Sequence, residues 1–270
     1  MELNLEKKAA SIRGDILDML FACQSGHPGG SLSCVEILLA LYENGVMKVD
    51  PKNPQWDARD RFVMSKGHAC PTLYAVLADM GYFDHDELKN LRQLHSFLQG
   101  HPDMNKCPGV DASTGSLGQG MAMSVGYALI GKRADHAPFN VYTLTGDGEC
   151  QEGIMWEAAM AAAHYKLDNL TVLLDHNTLQ IDGPNEKVMD LGDICAKYDA
   201  FGWEVMTVDG HDIEAITAAC KAPRIPGKPR FINCKTVKGK GVSFMENQVG
   251  WHGRPQKPEE YEAAKQEVGC

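Results

Sequence analysis

Four short apolar runs, Phe139 to Leu144, Leu170 to Leu174, Trp203 to Val208 and Phe231 to Cys234, constrain this chain more than any other feature. Runs of this kind predict strands of a sheet covered on both faces. Between them, segments near Ile154 to His164, Leu191 to Tyr198 and Ile213 to Lys221 predict helices. Strand alternating with helix implies right-handed crossovers and a mostly parallel sheet with helices on both faces, an α/β fold. Upstream, Arg61 to Ser65 predicts a further strand, followed by a helix that Pro71 opens and Gly81 ends. Ile12, Ile16, Met19 and Leu20 recur at helix spacing, as does the run from Val35 to Leu41, and Ser25 to Gly30 between them predicts a loop. The stretch Lys235 to Lys257 is polar, Gly-rich and aperiodic, which predicts a long functional loop and not a linker. Residues 1–270 are therefore expected to form a single domain.

Composition narrows the partners. A formal net charge of −10 disfavours a nucleic-acid partner. No apolar run reaches the roughly 18 residues of a membrane helix, so no membrane association is expected. Glu2, Glu6, Arg13, Asp15 and Asp18 punctuate the first twenty positions, unlike a signal peptide. The nine cysteines include no C-x-x-C pair and read as reduced thiols of a cytoplasmic protein.

In an open parallel sheet the ligand site lies beyond the carboxyl ends of the strands. Two loops there are unusual. Thr145-Gly146-Asp147-Gly148-Glu149-Cys150-Gln151-Glu152-Gly153 follows one strand, and its early glycines let backbone approach a ligand closely. Asp175-His176-Asn177-Thr178-Leu179-Gln180-Ile181-Asp182-Gly183 follows the next. Neighbouring strands thus bring Asp147 and Asn177 to one rim. A carboxylate, an amide oxygen and a loop carbonyl are hard donors suited to Mg²⁺ or Ca²⁺. Capping of turns is the competing explanation for each residue alone. Neither G-x-G-x-x-G nor a P-loop is present, since Gln151 stands where the third glycine would fall. His27, His68, His101 and His252 each adjoin a glycine, which suggests ligand access, whereas His85, His95, His136, His164, His176 and His211 read as surface or turn residues.

Gly-Asp-Gly followed in the next loop by Asn resembles the metal motif of thiamine diphosphate enzymes. The wider pattern resembles the transketolase family, in Ser25-Gly26-His27-Pro28-Gly29, Asp60 to Ala69, Gly100-His101-Pro102, Thr114 to Gly120, Gly146 to Gly153, Asp175 to Gly183 and Trp251-His252-Gly253. The resemblance implies the thiamine diphosphate-binding fold, with Asp147, Asn177 and the Leu179 carbonyl holding Mg²⁺, or Ca²⁺ or Mn²⁺ in its place. It implies that His68 and His252 lie near the cofactor, that Gly115, Ser116, Leu117 and Gly148 frame it, and that His27, His101 and His252 contact substrate as catalytic groups. Glu152 is implied in a hydrogen-bonded chain linking two active sites, while helix capping alone explains Glu157.

The family's pyrimidine-binding domain, with its cofactor glutamate, and its C-terminal domain have no match within 1–270. The resemblance is therefore to the N-terminal subunit of a split transketolase, completed by a C-terminal subunit in an expected α2β2 heterotetramer. The implied reaction moves a two-carbon ketol unit from a ketose phosphate to an aldose, as in pentose phosphate metabolism, with no turnover expected without the partner. The alternatives are a subunit of another thiamine diphosphate enzyme, such as a 2-oxoacid dehydrogenase alpha chain or a deoxyxylulose phosphate synthase, and a catalytically silent binding paralogue.

Overall fold

Five strands build the sheet of the computed structural model, which describes residues 4–133 and 138–270 and so leaves His136 outside the described residues. They are β1 (Arg61–Met64), β2 (Val141–Gly146), β3 (Leu170–His176), β6 (Glu204–Asp209) and β7 (Arg230–Lys235). A two-residue pair, β4 (Leu179–Gln180) and β5 (Gly183–Pro184), forms a separate antiparallel ladder after β3. The sheet order is β1-β2-β3-β7-β6, and every pairing is parallel. Strand periodicity distributes side chains between two cores. Leu170, Val172 and Leu174 of β3 enter one, whereas Leu173 enters the other with Phe62, Leu144 and Ile232.

Helices cover both faces, as the alternation predicts. Helices α1 (Leu5–Cys23), α2 (Pro28–Leu32), α3 (Val35–Tyr42), α4 (Cys70–Asp79), α9 (Ile213–Lys221) and α10 (Pro258–Val268) pack on one side. Helices α5 (Gln119–Arg133), α6 (Gly153–His164) and α8 (Ile194–Ala200) pack on the other, and the one-turn α7 (Asn185–Val188) follows β5. Asn4, Asp193 and Asp212 cap α1, α8 and α9 by accepting from backbone N–H groups at 2.9–3.0 Å. The Asp193 cap explains why α8 starts at Ile194 and not at Leu191.

One expected loop is partly a helix. Within Ser25 to Gly30 the chain turns helical at Pro28, which occupies the first helical position where its missing N–H costs nothing. The glycines after it serve close packing: a Cβ on Gly29 would sit 2.9 Å from the Trp251 carbonyl oxygen. After β7 ends at Lys235, the chain through Lys257 holds no regular element beyond a 3-10 turn at Val249–Trp251. Among the described residues, no helix is long and apolar enough to cross a membrane.

Candidate active site

The carboxyl ends of β1, β2, β3 and β7 open onto one cavity of about 370 Å³. Every site residue expected from sequence lines it except Ser116, which is exposed and whose carbonyl accepts from Gln119 N at 3.2 Å at the start of α5. Ser116 therefore belongs to the turn that launches the helix. Glu152 reaches the rim as an exposed side chain, while Glu157 on α6 is exposed and does not line the cavity.

Three hard oxygens gather on one side. Asp147, 2% exposed, accepts from Gly148 N at 2.7 Å and from Thr178 N, so the carboxylate bridges the β2 and β3 loops. Asn177 Oδ1 accepts from Leu179 N at 3.2 Å, and the Leu179 carbonyl accepts from Lys238 Nζ at 3.2 Å. Each oxygen keeps a lone pair beyond these bonds. Burial, reinforced by the Asp175 charge, pushes the Asp147 carboxyl up, as expected of a group that a nearby cation would relieve. Among the described residues there is no cluster of three His, Cys, Asp or Glu side chains able to hold a metal. A divalent ion here would use an amide and a carbonyl beside one carboxylate, a donor set that fits a hard cation.

Beneath this rim lies a floor of saturated charges, which the sequence motifs contain without assigning them a role. Asp175, fully buried at the end of β3, accepts from Ser33 Oγ at 2.6 Å, Asn177 Nδ2 at 3.1 Å, Thr236 Oγ1 and Lys66 Nζ. The Asn177 bond orients its amide, leaving Oδ1 for the rim. Lys66 also donates to the Gly30 carbonyl at 2.7 Å. Burial opposes both charges, but each holds the other ionised: Lys66 is raised and Asp175 lowered. Glu149 is a second hub, accepting from Ser65 Oγ at 2.5 Å, Gly118 N at 2.7 Å and Gly146 N at 3.0 Å. It ties the 114–118 segment to the ends of β1 and β2.

The opposite wall is imidazole. His27, His68 and His252 form a triangle with ring centroids 5.2, 5.4 and 5.5 Å apart. His101 stands exposed at the mouth, its ring close enough that a Cβ on Gly115 (φ +143°) would lie 3.0 Å from it. A Cβ on Gly30 would likewise lie 3.2 Å from His68 Nε2, so glycine keeps this cradle open. Burial holds the rings neutral, aided for His27 by Arg92 and His101 and for His252 by Lys238: His27 is pushed down to about 4 and His252 to about 3. His68 lies well below the usual imidazole range through burial and the Lys66 charge. Burial and Arg92 lower His101 as well. His27 Nδ1 is buried and has no hydrogen-bond partner.

Lys238, within the long loop expected from sequence but not singled out there, is a further cavity residue. It is 2% exposed, donates to Leu179, contacts His252, and is lowered to about 8 by burial and Lys66. His211, expected as a surface or turn residue, is instead wedged between Glu36 Oε2 at 3.0 Å and the Val237 N–H at 2.9 Å. Because it accepts that backbone proton on Nε2, its own donor is Nδ1.

Comparisons with known proteins place the chain in one family. A family described as "Transketolase, thiamine diphosphate binding domain" matches residues 5–270. A 6-deoxy-6-sulfo-D-fructose transketolase subunit, SqwG, from Clostridium sp. (strain MSTE9) is 44% identical over 99% of this chain and 97% of its own length. A subunit of the apulose-4-phosphate transketolase from Phocaeicola vulgatus is 40% identical over 98% of this chain and 93% of its own. The crystal structure of transketolase from Campylobacter jejuni superposes with a TM-score of 0.90 at 37% identity. That match covers 100% of this chain, which spans 43% of the solved protein's length.

Proposed function

The chain belongs to the transketolase family, and from that premise we propose that it is the thiamine diphosphate-binding subunit of a two-chain transketolase. The observation that carries the proposal is the meeting of Asp147, Asn177 and the Leu179 carbonyl on one rim, opposite the triangle of His27, His68 and His252. Those three oxygens would hold Mg²⁺, or Ca²⁺ or Mn²⁺, and the ion would neutralise the cofactor's diphosphate. Gly148 and His68 would contact the diphosphate, and Gly115 and Leu117 would flank the cofactor; Glu152 at the rim would face a neighbouring site. When bound, thiamine diphosphate supplies the carbon centre that carries the two-carbon unit.

The chain's own residues then hold and move protons. Neutral imidazoles at His27, His101 and His252 can donate to or accept from substrate hydroxyls near pH 7 without a prior ionisation change.

A partner supplying the pyrimidine-binding and C-terminal domains is part of the proposal, supported by relatives of matching length that are named as subunits. Exposed apolar side chains on α5 and α6 and after β3, namely Ile130, Met160, Ile181 and Met189, would give such a chain surface to cover. An α2β2 assembly follows the family's dimeric habit, and nine free cysteines suit the reducing cytoplasm. These two relatives are named for different sugars, so the substrate proposed here is the class of anionic ketoses, with pentose phosphates as the default. The test is ketol transfer from ketose phosphates to an aldose with Mg²⁺ and thiamine diphosphate. Turnover is expected when the co-purifying chain is present, and full turnover by this chain alone would refute the two-chain reading.

A further inference from the structure

Arg92 lines a groove beside the cavity, with Gln99 and Lys106, yet its side chain reaches both loops that carry His27 and His101. The guanidinium donates from NH1 to Ser25 Oγ at 2.8 Å and from NH2 to the Gly100 carbonyl at 3.2 Å. Ser25 stands two residues before His27, and Gly100 immediately before His101. A Cβ on Gly100 would lie 3.0 Å from Arg92 Cζ, so glycine there lets the guanidinium come this close. One planar group thus spans two segments that are far apart in sequence and that meet again only at the cavity wall.

The polarity of this bridge does not depend on pH. A guanidinium stays charged and carries only donors, so the Ser25 hydroxyl oxygen and the Gly100 carbonyl both accept. The backbone is set for the reach: Arg92 has φ +59°, a left-handed conformation that L side chains seldom adopt. Its N–H donates to the Leu98 carbonyl at 2.9 Å and closes the 92–98 segment into a loop. On the far side of Gly100, Tyr74 Oη on α4 donates to the His101 carbonyl at 3.1 Å. The rings feel the same cation: after burial, Arg92 is the next cause that holds both His27 and His101 below the usual imidazole range. Its bonds go to the loops, and its charge reaches the rings.

We propose that Arg92 is a positioning residue whose guanidinium, bridging Ser25 and the Gly100 carbonyl, fixes His27 and His101 relative to each other so that both rings meet one substrate. The functional half rests on the reading of those two histidines as substrate-facing groups, and the bridge itself does not. A lysine at this position would keep the charge but lose the planar fork that engages two acceptors at once. Placement, more than charge, is therefore what the arginine supplies.

The test begins with nitrogen NMR on the full chain labelled with ¹⁵N-histidine, which needs no turnover. The ring signals of His27 and His101 are identified by their loss in His27→Asn and His101→Asn. Arg92→Gln and Arg92→Lys are each expected to move both sets of signals and to leave those of His164, on α6 across the sheet, in place. Signals of His27 and His101 that stay where they are in Arg92→Lys would reduce the residue to a source of charge and overturn the bridge, even if Arg92→Gln does not fold. In the assembled enzyme both variants are expected to lower kcat/KM for ketol transfer at least about tenfold, with thiamine diphosphate affinity within about twofold of the unsubstituted enzyme. An unchanged kcat/KM alongside moved signals would refute the substrate-facing reading of the two histidines, and with it the functional half of the proposal, separately from the bridge.

Discussion

The floor and the wall of the cavity are both polar and both largely withdrawn from water, yet they are built on opposite terms. Around Asp175 and Glu149 each carboxylate is met by several donors from separate parts of the chain. Along the wall, His27 Nδ1 has no partner and three rings are held neutral against one another. A saturated group can only position its neighbours, because any exchange of its bonds leaves a buried charge unpaired. An unsaturated one can take up a ligand's bonds at little cost. The rim of Asp147, Asn177 and Leu179 lies between these extremes, each oxygen already engaged but with lone pairs to spare.

Substitutions can break this contrast. The largest effect is expected on the floor: Asp175→Ala leaves the Lys66 ammonium buried without its carboxylate and should cost about 3–5 kcal/mol of folding stability, measured by urea denaturation. A loss below about 1 kcal/mol would show that the floor is not a structural hub. On the wall, His252→Ala should lower ketol transfer by the assembled enzyme about 100-fold, while its urea midpoint stays near that of the unsubstituted chain. A matched loss of stability would erase the distinction between the two regions.

A smaller effect concerns pH. Folded His27 and His252 take up protons only near pH 4 and 3, whereas the unfolded chain binds them from about 6.5 downward. The unfolded state thus holds more protons throughout that interval, and stability must fall as pH falls through it. The double variant His27→Asn with His252→Asn should show a shallower acid limb between pH 6.5 and 4. An identical slope would mean that the wall histidines titrate normally.

Much of the fold is legible in the sequence because the sheet is covered on both faces. Strands such as Leu170 to Leu174 then read as mostly apolar runs, whereas the start of α8 is missed from sequence because the Asp193 cap is not read there. Asp147 and the wall histidines are legible because each adjoins a glycine, and Asn177 because the loop after the neighbouring strand brings it to the same rim. Lys66, Glu149, Asp175 and Lys238 lie in the same motifs or in the Gly-rich loop after β7, but nothing local assigns them a role. Their meaning depends on partners such as Ser33, Gly118 and Thr236 that only folding brings near, and a charged residue beside a strand usually points to solvent. The helical turn at Pro28 is hidden for a related reason: packing against Trp251 and Lys238 outweighs the weak helix preference of two consecutive glycines. His211 looks like a turn residue because nothing local reveals that Glu36 and Val237 converge on it.

The rim decides the account, because it is where positioning passes into binding. Calorimetric titration of thiamine diphosphate with Mg²⁺ into the assembled enzyme, with and without Asp147→Ala, tests it most directly. The substitution should weaken cofactor binding by at least about 100-fold, with a urea midpoint close to that of the unsubstituted protein. Equal affinity in the two proteins would remove Asp147 from the metal site and contradict the proposed function of the rim.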